Sequence, residues 1–128
     1  MNNRYIVSIG SNSDAEQKTY EVRQILTDLF DNVAFSAFRW TSPVGAHYTQ
    51  PFYNGAVCFE SNLDAVDLKA QLKTIETKLG RTPEQKKEGI VPMDLDIIVC
   101  NEEIIHPDYQ RFPWVKEAVD SLSPLVKK

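Results

Sequence analysis

The 128-residue sequence has few of the features that would link it to a membrane or an oxidising compartment. It contains only two cysteines, Cys58 and Cys100, which fall within apolar runs and lack the CxxC spacing of a metal or redox motif. They are expected to be small buried hydrophobic residues. The opening MNNRYIVSIG has no apolar run of signal-peptide length, and no stretch approaches a transmembrane span. We therefore expect a cytoplasmic protein.

Positive charge is also scarce. The chain has 14 Lys and Arg residues against 18 Asp and Glu, a net charge of −4 at pH 7, and its pI is near 5.1. Such a balance argues against non-specific binding to nucleic acid or to a membrane surface. The expected partners are therefore small molecules, and an anionic ligand would need local cations or metal ions. The oligomeric state is left open.

The apolar pattern predicts one α+β domain over residues 1–128. Hydrophobic residues make up 42% of the chain, enough at this length to form a core without metal or disulfide support. Alternation predicts strands in RYIVSIGS, VAFSAFRW, FYNGAVCFE and PMDLDIIV, with one helix after the first strand and one after the third. This repeated β-α-β order predicts a ferredoxin-like βαββαβ sandwich, a mainly antiparallel sheet covered by helices on one face.

Local signals set the limits of these elements. The first helix follows SNSDAEQ and is predicted to run to about Phe30, while Asp64 caps the second helix and Gly80 ends it. The segment RTPEQKKEGIV lacks periodicity and is predicted to be a mobile surface loop. The tail from Pro113 is predicted to be a weak helix or an irregular segment with an apolar side. The second helix carries an apolar stripe of Leu68, Leu72, Ile75 and Leu79.

The strand PMDLDIIV carries two carboxylates that would lie side by side. Alternation puts Asp94 and Asp96 on one face, and Met93, Leu95 and Ile97 on the other, toward a core. Like charges so placed repel each other, and a metal ion such as Mg²⁺, which favours oxygen ligands, relieves that repulsion. The alternative is that the aspartates cap turns or pair with surface lysines.

Several motifs occur in a characteristic order along the chain. RYIVSIGSN, TSPVGAHYTQPFYNGAV, IETKLGR and MDLDIIV together resemble the 6-hydroxymethyl-7,8-dihydropterin pyrophosphokinase family of folate biosynthesis. The resemblance runs from about Tyr5 to Pro113. It implies the ferredoxin-like fold and transfer of pyrophosphate from ATP to the hydroxymethyl group of a dihydropterin, with release of AMP. It also implies two Mg²⁺ ions held by Asp94 and Asp96 against the ATP phosphates.

The resemblance also implies a pterin site. Thr41, Val44, Phe52 and Asn54 occupy the positions of the family's pterin-binding residues. An asparagine amide both donates and accepts, as the edge of a pterin requires, and Phe52 offers a flat apolar face. Taken singly, Thr41 and Asn54 could be turn or strand-end residues, and Phe52 could be a core aromatic. Gly10, with the Ser and Asn that follow it, is expected to shape the turn from strand to helix.

Nucleotide binding is implied for a set of mostly basic residues. Arg81 is expected to act in catalysis and to meet a phosphate, although it could equally stabilise the C-terminus of the second helix. The family's loop tryptophan and arginine are replaced by Glu88 and Val91, and Trp114 stands where a histidine is expected. Lys116 is a further possible substitute for a basic residue. The residues expected at the nucleotide are Glu76, Arg81, Lys86, Lys87 and Arg111.

These departures leave two functions open. The chain is interpreted as a divergent pyrophosphokinase, C-terminally short because it ends at SPLVKK where family members usually continue. The alternative is a relative without catalysis that binds a pterin or a nucleotide, and an oligomerisation domain is a third and weaker idea. His47 and His106 match no catalytic position and are expected to be loop, turn or strand-edge residues.

Overall fold

The structure is a computed structural model that describes residues 2–44 and 48–126, with side chains as far as residue 123. His47 lies outside the described residues. The elements, in chain order, are β1 (Asn3–Ser11), α1 (Ala15–Leu29), β2 (Asp31–Phe35), β3 (Arg39–Thr41), β4 (Phe52–Ser61), α2 (Ala65–Lys78), α3 (Gln85–Glu88), β5 (Asp94–Cys100), β6 (Glu103–Ile104), α4 (Asp108–Arg111) and α5 (Pro113–Val126).

A six-stranded sheet of order β2-β4-β1-β5-β6 forms the centre of the fold, and β3 extends it by pairing with β4. Every pairing is antiparallel. Because β1 and β2 both run antiparallel to β4, they are parallel to each other and are joined by α1, as in a β-α-β unit. The predicted ferredoxin-like α+β fold is confirmed, with β1 at its centre between β4 and β5.

The predicted strand VAFSAFRW is divided into β2 and β3. Between them the Ser36 amide donates to the Ala56 carbonyl (2.9 Å), and the Ser36 hydroxyl accepts from the Ala56 amide (2.8 Å). The side chain thus replaces part of the regular ladder. The Phe38 ring then packs over Gly55, where an added Cβ would come within 2.7 Å of the ring. This close approach explains a glycine inside β4.

Helices cover both faces of the sheet, so the expectation of helices on one face is wrong. On the first face, α1 and α2 bury Val22, Leu26, Leu68 and Leu72 against the sheet. The second face is covered by α5, so the tail from Pro113 is a helix and the alternative prediction of an irregular segment is wrong. The apolar residues of α5 recur at helical spacing; they are Val115, Val119 and Leu122. They pack on the sheet residues Ile6, Ala56, Cys58, Ile98 and Val99.

The second helix and Cys58 match their predictions, whereas Cys100 is less buried than predicted. The Asp64 carboxylate accepts from the Asp67 amide (2.8 Å), and α2 ends before Gly80, whose φ is +103°. Cys58 is buried, Cys100 is half-buried, and neither is in a disulfide. Within the described ranges, no helix combines the length and apolar character needed to cross a membrane.

The segment between α2 and β5 contains a helical turn and a buried residue, which corrects its prediction as an irregular surface loop. Residues Gln85–Glu88 form the single turn α3, which ends at Gly89 with φ of 71°. The chain then descends toward the sheet, and Val91 is buried. This segment therefore combines a charged outer turn with an apolar anchor.

Candidate active site

Asp94 and Asp96 begin β5 and project from the face of the sheet that α5 covers. They lie opposite Gly10 and Ser8 of β1. Met93 and Leu95 point the other way into the core beneath α1 and α2, as alternation predicts. The side chains of Asp94 and Asp96 are 41% and 28% exposed, so both carboxylates are partly withdrawn from water without being sealed from a ligand.

A cavity of about 150 Å³ opens beside these carboxylates. Thr41, Val44, Phe52 and Asn54 all line it, so the structure brings the predicted pterin residues together. Phe112 and Trp114, which precede and begin α5, form part of its wall and stack on each other with centroids 4.8 Å apart. The cavity thus has flat apolar walls and a few polar groups, a combination typical of sites for planar heteroaromatic molecules.

The polar edge of this aromatic cavity is formed by neighbouring strands. The Asn54 amide nitrogen donates to the Thr41 hydroxyl (2.6 Å), which links β4 to β3. Asn54 lies opposite Gly10, where an added Cβ would stand 2.8 Å from the Asn54 amide oxygen. Gly10 is therefore a strand residue that leaves room for Asn54, rather than part of the predicted turn.

A histidine and a third carboxylate complete the acidic side of the site. The His106 Nε2 atom lies 3.9 Å from Asp96 Oδ1, and its Nδ1 atom accepts from the Asp108 amide (3.1 Å). Ligand atoms of Asp96, His106 and Asp108 all lie within 4.8 Å of one another. Burial, and then the charges of Asp94, Asp108 and Glu76, raise the pKa of Asp96 to about 7. The site therefore favours an added positive charge.

Arg81 and Glu76 connect α2 to the site. The Arg81 Nη1 atom donates to Asp94 Oδ1 (2.9 Å) and to the Met93 carbonyl (3.2 Å), and it lies 3.3 Å from Glu76 Oε1. Glu76 is only 3% exposed, and its Oε2 atom accepts from the Leu95 amide (2.7 Å). This contact fixes α2 against β5. Glu76 therefore contacts protein groups, and its role at a nucleotide stays a prediction.

A second cavity, of about 280 Å³, lies on the α2 side of Asp96. Its walls are mainly apolar, with the side chains of Lys69 and Lys73 at its edge. Asp96 lines both this lysine-edged cavity and the aromatic cavity, and so stands between them. The apolar walls come from Ala65, Val66, Leu72, Leu95, Ile97 and Ile105.

The other predicted nucleotide residues lie outside these cavities. Lys86 and Lys87 are exposed on α3, and Arg111 is 64% exposed with its guanidinium 4.9 Å from the centroid of the Phe112 ring. None of the three is among the described residues that line either cavity. Their roles at a nucleotide stay predictions that would require the ligand to extend beyond these walls.

Sequence reasoning missed several residues of the site. His106 follows β6, as a turn residue should, yet its imidazole reaches Asp96. The sequence predicts no role for Asp108 or Phe112, and it marks Trp114 only as a replacement for a histidine. The signal was present in HPD, a histidine and an aspartate separated by a proline directly after a short strand. The link to Asp96 depends on how the chain returns past β5.

Asn12 anchors the segment that precedes the carboxylates. Its amide nitrogen donates to the Gly89 carbonyl (2.7 Å), and its amide oxygen accepts from the Val91 amide (2.6 Å). The Asn12 backbone N–H donates to the Val91 carbonyl (2.9 Å). Since Asn12 is largely buried, these bonds are shielded from water and hold the start of β5 against β1.

Replacing Asn12 with alanine is therefore expected to loosen this segment. The change leaves the Val91 amide and the Gly89 carbonyl without side-chain partners, and should lower the free energy of unfolding by about 2 kcal/mol. Urea denaturation would measure this loss, and hydrogen exchange should accelerate at Gly89 to Val91 more than in α5. Ser13→Ala, at the next position, is the matched control. Equal stability of the two variants would contradict the anchoring role.

The fold and the site together define a class of protein. Two strand carboxylates line an aromatic cavity, and one of them, Asp96, also lines an apolar cavity edged by lysines, an arrangement suited to an enzyme that transfers a charged group between two small molecules. The sequence model of the 7,8-dihydro-6-hydroxymethylpterin-pyrophosphokinase (HPPK) family matches residues 6–124, and the chain belongs to that family. It is an ATP-dependent pyrophosphokinase, a transferase of folate biosynthesis, and its family uses ATP and Mg²⁺.

Proposed function

We propose that this chain transfers pyrophosphate from ATP to the hydroxymethyl group of a dihydropterin bound in the aromatic cavity. ATP would occupy the lysine-edged cavity, with its phosphates directed past Asp96. The observation that carries this proposal is that both cavities meet at the same carboxylate. No feature of the described residues favours a non-catalytic binding module.

The acidic residues suit Mg²⁺, which prefers oxygen ligands and binds through one or two carboxylates together with substrate phosphates. Asp94 and Asp96 share one face of β5, and the raised pKa of Asp96 reflects, after burial, carboxylates crowded beside it. We assign both residues to two ions bound with ATP. Bound there, Mg²⁺ supplies charge neutralisation at the phosphates.

The protein's own residues would position the reactants. Phe52 and Phe112 offer flat faces for the pterin, while Thr41 and Asn54 meet its polar edge. In a neutral His106 the proton is on Nε2, because Nδ1 accepts from the Asp108 amide, so Nε2 can donate to a phosphate oxygen. The pterin hydroxyl oxygen then attacks the β-phosphorus of ATP, the bond from that phosphorus to the bridging oxygen of the α-phosphate breaks, AMP leaves and the hydroxyl proton is released.

A direct assay tests this function. Folded protein incubated with ATP, Mg²⁺ and 6-hydroxymethyl-7,8-dihydropterin should form AMP and the pterin pyrophosphate in equal amounts. AMP at the level of a protein-free blank would contradict it.

We also propose a cytoplasmic location, supported by ATP as co-substrate and by the free thiols of Cys58 and Cys100.

Phe52→Ala should weaken pterin binding selectively. Loss of one stacking face is expected to raise the KM for the pterin about tenfold and to leave the KM for ATP nearly unchanged. The adjacent Tyr53→Ala is a matched control, because Tyr53 points to the opposite side of the sheet and packs on Phe38 and Trp40. Steady-state kinetics would compare them, and equal effects on the pterin KM would contradict the assignment of Phe52.

Metal affinity should depend on pH in a defined direction. Since the pKa of Asp96 is about 7 in the metal-free protein, a proton occupies this carboxylate at pH 6 and has largely left at pH 8. The cation and the proton compete, so Mg²⁺ should bind about tenfold more tightly at pH 8 than at pH 6. Calorimetric titration at the two pH values would measure the ratio. A pH-independent affinity, or one that falls with pH, would contradict the role of Asp96.

A further inference from the structure

Arg81 forms an ion pair with Asp94, one of the two carboxylates that we assign to the metal. Its Nη1 atom is 2.9 Å from Asp94 Oδ1, the shortest of its contacts with the two carboxylates around it. The Arg81 side chain is one-third exposed and that of Asp94 is 41% exposed, so this ion pair is only partly shielded from water. In the metal-free protein, Asp94 therefore already has a positive partner.

Arg81 also has partners that it keeps when Asp94 is engaged elsewhere. The same Nη1 atom contacts the Met93 carbonyl at 3.2 Å and Glu76 Oε1 at 3.3 Å. Glu76 is fixed in the interior by its bond to the Leu95 amide and needs a nearby cation to balance its charge. Arg81 thus lies between a permanent buried carboxylate and a site carboxylate, and can release the second without becoming unpaired.

We propose that Arg81 is an internal counterion that competes with the divalent cation for Asp94. This inference rests on the proposed function, because it takes Asp94 as a metal ligand. Two positive groups on one carboxylate repel each other, so each weakens the hold of the other. Arg81 therefore disfavours the binding of a metal ion alone. A cation that binds together with the negatively charged nucleotide phosphates is repelled less by Arg81 and can take Asp94 as a ligand. Arg81 is in this sense a positioning residue.

Binding of Mn²⁺ in the absence of nucleotide tests this competition, with electron paramagnetic resonance reporting the free ion. Arg81→Met keeps much of the side-chain stem and removes the charge, and it should bind Mn²⁺ about tenfold more tightly than the unmodified protein. Arg39→Met is the matched control, since it removes an arginine whose guanidinium pairs with Glu117 on the surface. That control should bind Mn²⁺ like the unmodified protein.

Further variants separate the failure of this inference from the failure of the proposed function. Asp94→Asn and Asp96→Asn should each weaken Mn²⁺ binding. If they do and Arg81→Met binds no more tightly than the unmodified protein, the competition is wrong while the metal assignment stands. If neither aspartate variant changes binding, the metal assignment fails and the inference fails with it.

Removal of Arg81 takes away a positive charge that balances the buried Glu76 carboxylate, and this loss could prevent folding. The double variant Glu76→Gln, Arg81→Met removes the buried charge as well, and Glu76→Gln alone is its reference. The double variant should bind Mn²⁺ about tenfold more tightly than Glu76→Gln. Equal affinities in this pair would overturn the competition.

Discussion

Asp96→Asn should nearly abolish pyrophosphoryl transfer while making the metal-free protein more stable. Asparagine keeps the shape of the side chain but lacks the charge that would hold Mg²⁺ and ATP, and the rate should fall by roughly 10³-fold. The stability effect has the opposite sign because burial, and then neighbouring carboxylates, raise the pKa of Asp96 to about 7 from 3.8. An ionised Asp96 therefore destabilises the fold.

The pH dependence follows from that sign. Because the pKa of Asp96 is higher in the folded protein than in the unfolded chain, the unfolded chain releases this proton first. The free energy of unfolding therefore falls as the pH rises from about 4 to about 7. Asp96→Asn should be more stable than the unmodified protein by about 2 kcal/mol at pH 8, allowing for partial solvent screening, and nearly equal at pH 4. Urea denaturation at both pH values, with EDTA present, would measure the difference.

Asp28→Asn is the matched control for this experiment. Asp28 is an exposed residue of α1, away from the two cavities that Asp96 lines, so its substitution should change neither activity nor stability appreciably. Substantial transferase activity in Asp96→Asn would contradict the metal assignment. A loss of stability at pH 8 would show that the carboxylate is satisfied by protein groups rather than crowded.

Glu76→Ala should destabilise the fold by about 3 kcal/mol. The substitution leaves the buried Leu95 amide without its acceptor and removes the permanent partner of Arg81. It also detaches α2 from the strand that carries both site aspartates, so activity should fall with stability. Urea denaturation would give the first effect, and AMP formation well below the midpoint would give the second.

Glu76→Gln distinguishes shape from charge at this position. Burial is the main cause of the raised pKa of Glu76, so the surroundings already disfavour its ionised form. Glutamine keeps an oxygen that can accept from the Leu95 amide and should lower stability by only about 1 kcal/mol. If Glu76→Ala were as stable as Glu76→Gln, the bond to β5 would not contribute as we describe.

Much of the frame was predictable because it depends on local patterns. Alternation along PMDLDIIV correctly predicted that the two aspartates lie on one face of β5 and that Met93 and Leu95 lie on the other. Helical spacing identified the buried side of α2. The four pterin candidates also proved to share one cavity. They were recognisable through the family resemblance. Thr41, Phe52 and Asn54 lie on the neighbouring strands β3 and β4, where Asn54 reaches Thr41, and Val44 follows β3.

The remaining features depend on long-range contacts that no local pattern encodes. The apolar side of α5 was visible in the sequence, but its position on the second face of the sheet follows from the path of the chain after β6. The same path brings His106 to Asp96 and Phe112 to the aromatic cavity. The pairing of Arg81 with Asp94 likewise depends on where α2 ends relative to β5.

The position of α5 has a consequence for how substrate preference can change. Trp114 and Val115, in the first turn of α5, line the aromatic cavity. Val115 also belongs to the apolar cluster that α5 forms with the second face of the sheet. A substitution that reshapes this wall therefore also disturbs packing beneath it. Variants selected for a bulkier pterin should arise on β3 and β4 before they arise on α5, or should appear on α5 only with a second change that restores the packing.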